Sequence, residues 1–264
     1  MRAVTEGEFS TGQPYLKLGQ GPPLVVASSL SPRHANPTGV RRRMTLTWAA
    51  PFAEHFTVYL VNRRPGLAQG TTIADLAADY ASAIERDLGG PVLVHGTSSG
   101  GTIGLQLAID RPELVQRMVV SAAACRLTPE AQAEQAEILR LAREGHGRQA
   151  TARLLASATS GGAAQFARAV GWVAGDLTDD EYADMVVTLV AEEDYDAEPD
   201  LGRIQAPALV LGGSEDSYHS EELFRLTAAK MQRGQVVILP GKSHGYVGGS
   251  KVTAGIALGF LLQG

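Results

Sequence analysis

Residues 91–108 read Pro91-Val-Leu-Val-His-Gly-Thr-Ser-Ser-Gly-Gly-Thr-Ile-Gly-Leu-Gln-Leu-Ala108. The apolar run Val92-Leu93-Val94 has the make-up of a strand covered on both faces. Gly96, Ser98, Ser99, Gly100 and Gly101 follow, and then an apolar helical stretch over 103–109 in which the small Gly104 and Ala108 permit close packing. A strand that turns sharply into a helix needs residues small enough for the backbone to fold tightly, and these positions supply them. The G-x-S-x-G pattern of Gly96, Ser98 and Gly100 puts a serine on that turn. The helix N-terminus beyond it offers oriented N–H groups where negative charge would develop. The pattern alone is weak, since Gly241-Lys-Ser243-His-Gly245 also matches it. After His244, however, no further His, Asp or Glu remains to serve Ser243. The plainer readings of Ser98 are a capping serine in a glycine-rich turn or a phosphate loop, and the Gly-Lys-Ser/Thr ending of a phosphate loop is missing here.

Further from the turn, short runs of Val, Leu and Ile at 24–26, 56–61, 92–94, 118–120, 208–211 and 236–239 read as buried strands. Helical stretches lie between them, such as 72–88, where Ile73, Leu76, Ala77, Tyr80 and Ile84 recur at spacings of three and four. The expected architecture is α/β, a mostly parallel central sheet with helices on both faces. From 127 to 200 the alternation gives way to alanine-rich helical patterns broken at Gly161-Gly162 and Gly175. The expected division is therefore a core of 1–126 and 201–264 with a helical insertion at 127–200. Residues 176–200 carry eleven acidic side chains and no Lys or Arg, which reads as a solvated acidic face.

A serine hydroxyl becomes a useful nucleophile when a base takes its proton and a third group orients that base. His244 follows the last expected strand among Gly241, Gly245 and Gly248, and is the candidate base. His219 is the rival, with an exposed loop residue as its plain reading. His95 is expected to be a buried strand-end residue, and His34, His55 and His146 have no evident partner. Asp216, four residues beyond Gly212 at the end of the 208–211 strand, is the candidate acid; Glu215 is the neighbouring alternative.

Composition bounds the function. The chain has 264 residues, 44% hydrophobic and 19% charged, enough for one large domain. A formal charge of −5 gives no electrostatic footprint for nucleic acid or an anionic membrane, the local run Arg41-Arg42-Arg43 excepted. That run reads as the solvated start of a helix or, more sharply, as a contact for a phosphate-bearing substrate. Cys125 is the single cysteine, so no intrachain disulfide forms and no Cys-based zinc pattern exists. Neither an apolar leader nor a membrane-length run is present. The expectation is a cytoplasmic protein acting on a small molecule, with no metal or cofactor and no nucleic-acid or membrane partner.

The order Ser98, Asp216, His244 resembles the α/β-hydrolase superfamily, and the resemblance spans nearly the whole chain. Leu18-Gly-Gln-Gly-Pro-Pro-Leu-Val-Val26 is similar to the family's entry into its third strand, and Arg111-Pro-Glu-Leu-Val-Gln-Arg-Met-Val-Val120 to the stretch after the nucleophile helix. Asp216 and Pro240-Gly-Lys-Ser-His-Gly245 match its acid and histidine loops. The resemblance implies a helical cap at 127–200 and an oxyanion hole built from the N–H groups of Leu30 and Ser99. Two departures stand out. Ser28-Ser29-Leu30 replaces the usual His-Gly loop, so Ser28 or Ser29 could instead lend a hydroxyl. Asn62-Arg-Arg-Pro-Gly66 stands where many members have an Asp-containing turn. Ser29, Phe166, Trp172 and Tyr195, with Met185, are the candidate pocket residues. The implied activity is a serine hydrolase cleaving a small to medium apolar ester, lactone or thioester. The alternatives are cyclisation or carbon–carbon cleavage on the same scaffold, and a non-catalytic ligand receptor.

Overall fold

The computed structural model describes residues 3–159 and 179–263. Eight strands form one sheet: β1 (Thr5–Glu8), β2 (Pro14–Gly19), β3 (Pro23–Ala27), β4 (Thr57–Val61), β5 (Val92–Thr97), β6 (Val115–Ser121), β7 (Ala208–Glu215) and β8 (Gly234–Ser243), in the order β1-β2-β4-β3-β5-β6-β7-β8. β3 to β8 run parallel, and β1 and β2 join antiparallel at one edge. The architecture is thus the expected one. The edge pair is an addition, because Thr5-Glu-Gly-Glu8 carries no apolar side chain to mark it as a strand.

Alternate residues of the parallel strands serve two cores, which is why no polar alternation appears in their sequence. Leu24 and Val26 of β3, Leu93 of β5 and Leu209 of β7 face one side. There they pack against Ala49 at the end of α1 (Gly39–Ala49) and against Ala257 and Phe260 of α9 (Lys251–Leu261). Val25, Val94, Val120 and Val210 face the other side. Their partners are α2 (Ile73–Ala83), α3 (Ser99–Asp110) and α7 (Glu221–Lys230), through Leu76, Ile103 and Phe224. The helix expected over 72–88 starts with a reciprocal cap: Asp75 N–H donates to Thr72 Oγ1 at 3.2 Å, and Thr72 N–H donates to Asp75 Oδ2 at 2.9 Å.

Between β6 and β7 lie α4 (Pro129–Arg143), α5 (Gly147–Ser157) and α6 (Asp179–Glu193). Ile138, Leu139, Ala150, Tyr182, Met185 and Leu189 close a third apolar cluster there, which Leu30 joins from the β3–α1 loop. Further along, Ala197 and Leu201 pack into the main core. The acidic stretch is not a uniformly solvated face. Asp184 accepts the N–H groups of Gly66 and Leu67 at 3.0 and 2.7 Å, and Asp196 and Glu198 pair with Arg126. Among the described residues no helix is long and apolar enough to cross a membrane.

From β3 the chain passes to β4 on one side, and from β4 it crosses back to β5 on the other side of β3. A crevice opens where the connections diverge, outside the carboxyl ends of β3 and β5, and open parallel sheets place their ligands at such a point.

Candidate active site

Ser98 sits between β5 and α3 at that crevice with φ 53° and ψ −126°, a conformation that costs a non-glycine residue about 1–3 kcal/mol. The surroundings hold it there. Ser98 N–H donates to Ser121 O at 2.9 Å, and Ser98 O accepts from the Gly101 and Thr102 N–H groups. The glycines are required by close approach: a Cβ on Gly96 would lie 2.3 Å from Gly100 O, and one on Gly100 would lie 2.1 Å from Ala27 O. The turn presses the start of α3 against the end of β3 and projects the Ser98 side chain outward.

His244 opens the short α8 (His244–Gly249) directly after β8 and is 8% exposed. Its Nε2 lies 2.9 Å from Ser98 Oγ and its Nδ1 3.0 and 3.1 Å from the two Asp216 carboxylate oxygens. A carboxylate only accepts, so Nδ1 carries the proton and Nε2 is left free to accept one from Ser98. Asp216 Oδ1 also accepts the N–H groups of Tyr218 and His219 at 2.8 and 3.1 Å. Burial pushes the Asp216 carboxyl up. The His244 charge and hydrogen bond, the His219 ring and the Tyr218 N–H outweigh it and hold the group below the ordinary carboxylate range.

The rivals fall elsewhere. His219 is buried, not exposed, and its Nδ1–H donates to Arg126 O at 3.0 Å; burial lowers its pKa to about 4. His95 is the buried strand-end residue expected, with Nε2 2.8 Å from Ser121 Oγ and its pKa lowered by burial to about 4. Glu215 is exposed, and Ser243 precedes α8 as its N-cap residue. His34 does have partners, against the sequence reading: Arg63, Arg64 O and Asp184 surround it.

Ser98 and His244 open into a cavity of about 500 Å³. The candidate pocket residues Ser29 and Tyr195 line it, as do the oxyanion candidates Leu30 and Ser99, together with Met44, Ile138, Leu154, Leu155 and Leu189. Met185 does not: it is fully buried in the third cluster, on the side of α6 that faces α4. Phe166 and Trp172 lie outside the described residues. The N–H groups of Leu30 and Ser99 take no backbone acceptor among the described residues, and the second belongs to the first turn of α3, where helix N–H groups are unspent.

Sequence reasoning missed two residues here. Glu192, one of eleven acids in its stretch, lines the cavity with its carboxyl raised by burial against the opposing pull of a Ser99 hydrogen bond and the charges of Arg63 and His244. Its Oε1 has no hydrogen-bond partner among the described residues. Arg63 lies buried behind the Ser28-Ser29 loop; the signals for it were its position just after the apolar strand β4 and the departure of Asn62-Arg-Arg-Pro-Gly66 from the family's Asp-containing turn, neither of which assigned it a role. Cys125, Asp196 and Glu198 cluster closely enough to suggest a metal site, but Arg126 and Lys230 already occupy the carboxylates.

The model of the alpha/beta hydrolase family matches residues 36–250, and the chain belongs to that family. Solved structures agree on the fold. A hydrolase from Pseudomonas aeruginosa superposes with a TM-score of 0.75 at 20% identity, covering 98% of each chain. The enol-lactonase of Burkholderia xenovorans gives 0.77 at 20% identity, over 98% of this chain and 100% of its own. A carboxylesterase from Bacillus subtilis gives 0.71 at 17% identity, over 100% and 93%. No curated protein matches the sequence.

Proposed function

We propose that the chain is a serine hydrolase that transfers an acyl group from a small to medium, largely apolar ester, lactone or thioester to water. The observation that carries this reading is the unbroken hydrogen-bond relay from Ser98 through His244 to Asp216 at the floor of an apolar cavity. In this reading His244 Nε2 takes the Ser98 proton as Oγ attacks the carbonyl carbon. The Leu30 and Ser99 N–H groups hold the oxyanion, and the imidazolium, steadied by Asp216, returns the proton to the leaving oxygen or sulfur. Water then attacks the acyl-serine with His244 again as base. Helices α4 to α6, within 127–200, act as the cap: Ile138, Leu154 and Leu189 roof the cavity over the strand ends. The single cysteine and the absence of a membrane-length helix among the described residues fit a cytoplasmic enzyme of this kind.

The test is labelling with a fluorophosphonate probe, read by intact mass, followed by a panel of short-chain aryl esters and lactones. Wild type and Ser243→Ala should gain one phosphonyl group and Ser98→Ala none. An unlabelled, folded wild type would overturn the reading and bring the receptor alternative forward.

A further inference from the structure

Arg63 is among the largest fully buried side chains of the protein, at 1% exposure. No described carboxylate pairs with it. Three of its five N–H groups go to neutral acceptors: Nη1–H to Ser28 O, Nη2–H to Ser29 O and Nε–H to His34 Nε2, each at 3.1 Å. His34 is committed as an acceptor there, because its Nδ1–H is spent on Arg64 O at 3.0 Å. Asn62 fixes the same segment, with its Oδ1 accepting Arg63 N–H and its Nδ2 donating to Arg33 O and Ala35 O. A buried guanidinium without an ion pair is costly, and a structural brace of the same size could be apolar. The placement therefore calls for a purpose.

The acceptors indicate one. In a planar trans peptide the C=O of one residue and the N–H of the next point in opposite directions, and no peptide bond among the described residues is cis. A fork that draws the Ser28 and Ser29 carbonyls to one side turns the Ser29 and Leu30 N–H groups to the other. Ser29 and Leu30 line the cavity beside Ser98 and Ser99. We infer that Arg63 is a positioning residue: it aims the Leu30 N–H at the oxyanion, in a loop that lacks the family's usual His-Gly. The inference rests on the hydrolase reading above. The guanidinium also polarises both peptide units along C=O to N–H, which strengthens the donors facing the developing charge. Lysine cannot replace it, since a single ammonium does not reproduce a planar fork spanning two carbonyls and a ring nitrogen.

Arg63→Lys and Arg63→Ala test this, measured on an aryl ester that wild type turns over, with folding followed by circular dichroism. Loss of one aimed oxyanion donor costs about 100-fold in kcat or more, with KM within about 3-fold of wild type. Phenylboronic acid, which forms a tetrahedral adduct on the serine, should lose affinity in proportion to kcat/KM, and free guanidinium should restore Arg63→Ala at least tenfold. A brace that only supports the fold would change the active fraction and answer to neither probe. If Arg63→Lys does not fold, His34→Ala takes its place: it keeps the charge but releases Nε, and kcat should fall about tenfold at constant KM. Unchanged kcat in the folded variant, or a fall without guanidinium rescue, overturns the assignment while the hydrolase reading stands. A wild type inert to fluorophosphonate and esters overturns both.

Discussion

Replacing Asp216 with Asn should cost the enzyme about 10³–10⁴ in kcat while leaving the fold nearly untouched, and the hydrogen bonds show why. Asp216 Oδ1 is anchored by the Tyr218 and His219 N–H groups. An asparagine keeps those bonds only by placing its carbonyl oxygen there, which puts its NH₂ at the Oδ2 position, 3.0 Å from His244 Nδ1. That NH₂ is the nearer of the two Asn atoms to Nδ1, the carbonyl oxygen lying at 3.1 Å and already accepting two N–H groups, so it favours Nδ1 as an acceptor and moves the proton to Nε2, the atom 2.9 Å from Ser98 Oγ. The base then faces the nucleophile already protonated. The charge term is separable: a unit pair about 4 Å apart at an effective dielectric of 20 is worth about 4 kcal/mol, or nearly 10³ in rate. Inversion of the tautomer brings the total towards about 10⁴. The assay is kcat on an aryl ester, with the melting temperature measured on the same sample. A folded Asp216→Asn that loses less than tenfold would refute the claim that Asp216 sets the His244 tautomer.

Three more outcomes follow from the packing. Gly100→Ala places a Cβ 2.1 Å from the Ala27 carbonyl oxygen, so β3 and α3 must separate; a loss of about 3 kcal/mol or more is expected, seen as a melting temperature lower by about 6–12 °C. Asp184→Ala leaves the Gly66 and Leu67 N–H groups without their acceptor and releases α6 from the β4–α2 loop; hydrogen exchange at Gly66, Leu67 and α6 should accelerate, and unchanged protection would count against the tie. His34, His95 and His219 are each held near a pKa of about 4, chiefly by burial, against an ordinary 6.5. The unfolded chain binds more protons between those values, so their stability is present above pH 6.5 and lost as pH falls towards 4, by about 1–2 kcal/mol per residue at pH 5. Urea midpoints at pH 7.5 and 5.0 measure it, and equal midpoints would sink the argument.

What could be read from the sequence follows the range of the interaction. The six parallel strands and the Ser98 turn are written in contiguous residues: an apolar run, two glycines that a Cβ would forbid, a helix start. β1 and β2 escaped because an edge pair buries one face at most, and only Leu16 and Leu18 of β2 are deeply buried. Met185 was misassigned as a pocket residue because helical periodicity gives a face but not the neighbour that face meets. The acids of 176–200 looked alike as a charge run. In space one holds a loop, two pair with Arg126 and one stands in the cavity. His34 and Arg63 are 29 residues apart and make sense only together, once the loop carbonyls between them and the serine are placed.

That pairing bears on how the roof and the chemistry communicate. Asp184 of α6 accepts two N–H groups from the loop that follows Arg63 and lies 3.7 Å from His34 Nδ1, while Glu192, two turns further along α6, stands in the cavity within the field of Arg63 and His244. One helix of the insertion therefore touches both ends of the oxyanion loop's support. Displacement of α6 would remove the Glu192 and Asp184 carboxylates, whose charges favour the Arg63 cation, and loosen the segment that carries it. The fork on Ser28 and Ser29 would then have to hold with less compensation for a buried cation. In the proposed hydrolase, access to the cavity and alignment of the Leu30 N–H would be coupled through Arg63, so a substrate that seats α6 firmly should also be the one whose oxyanion is best held. In kinetic terms, Asp184→Ala should lower kcat as well as raise KM; a change in KM alone would show that α6 governs entry and nothing more.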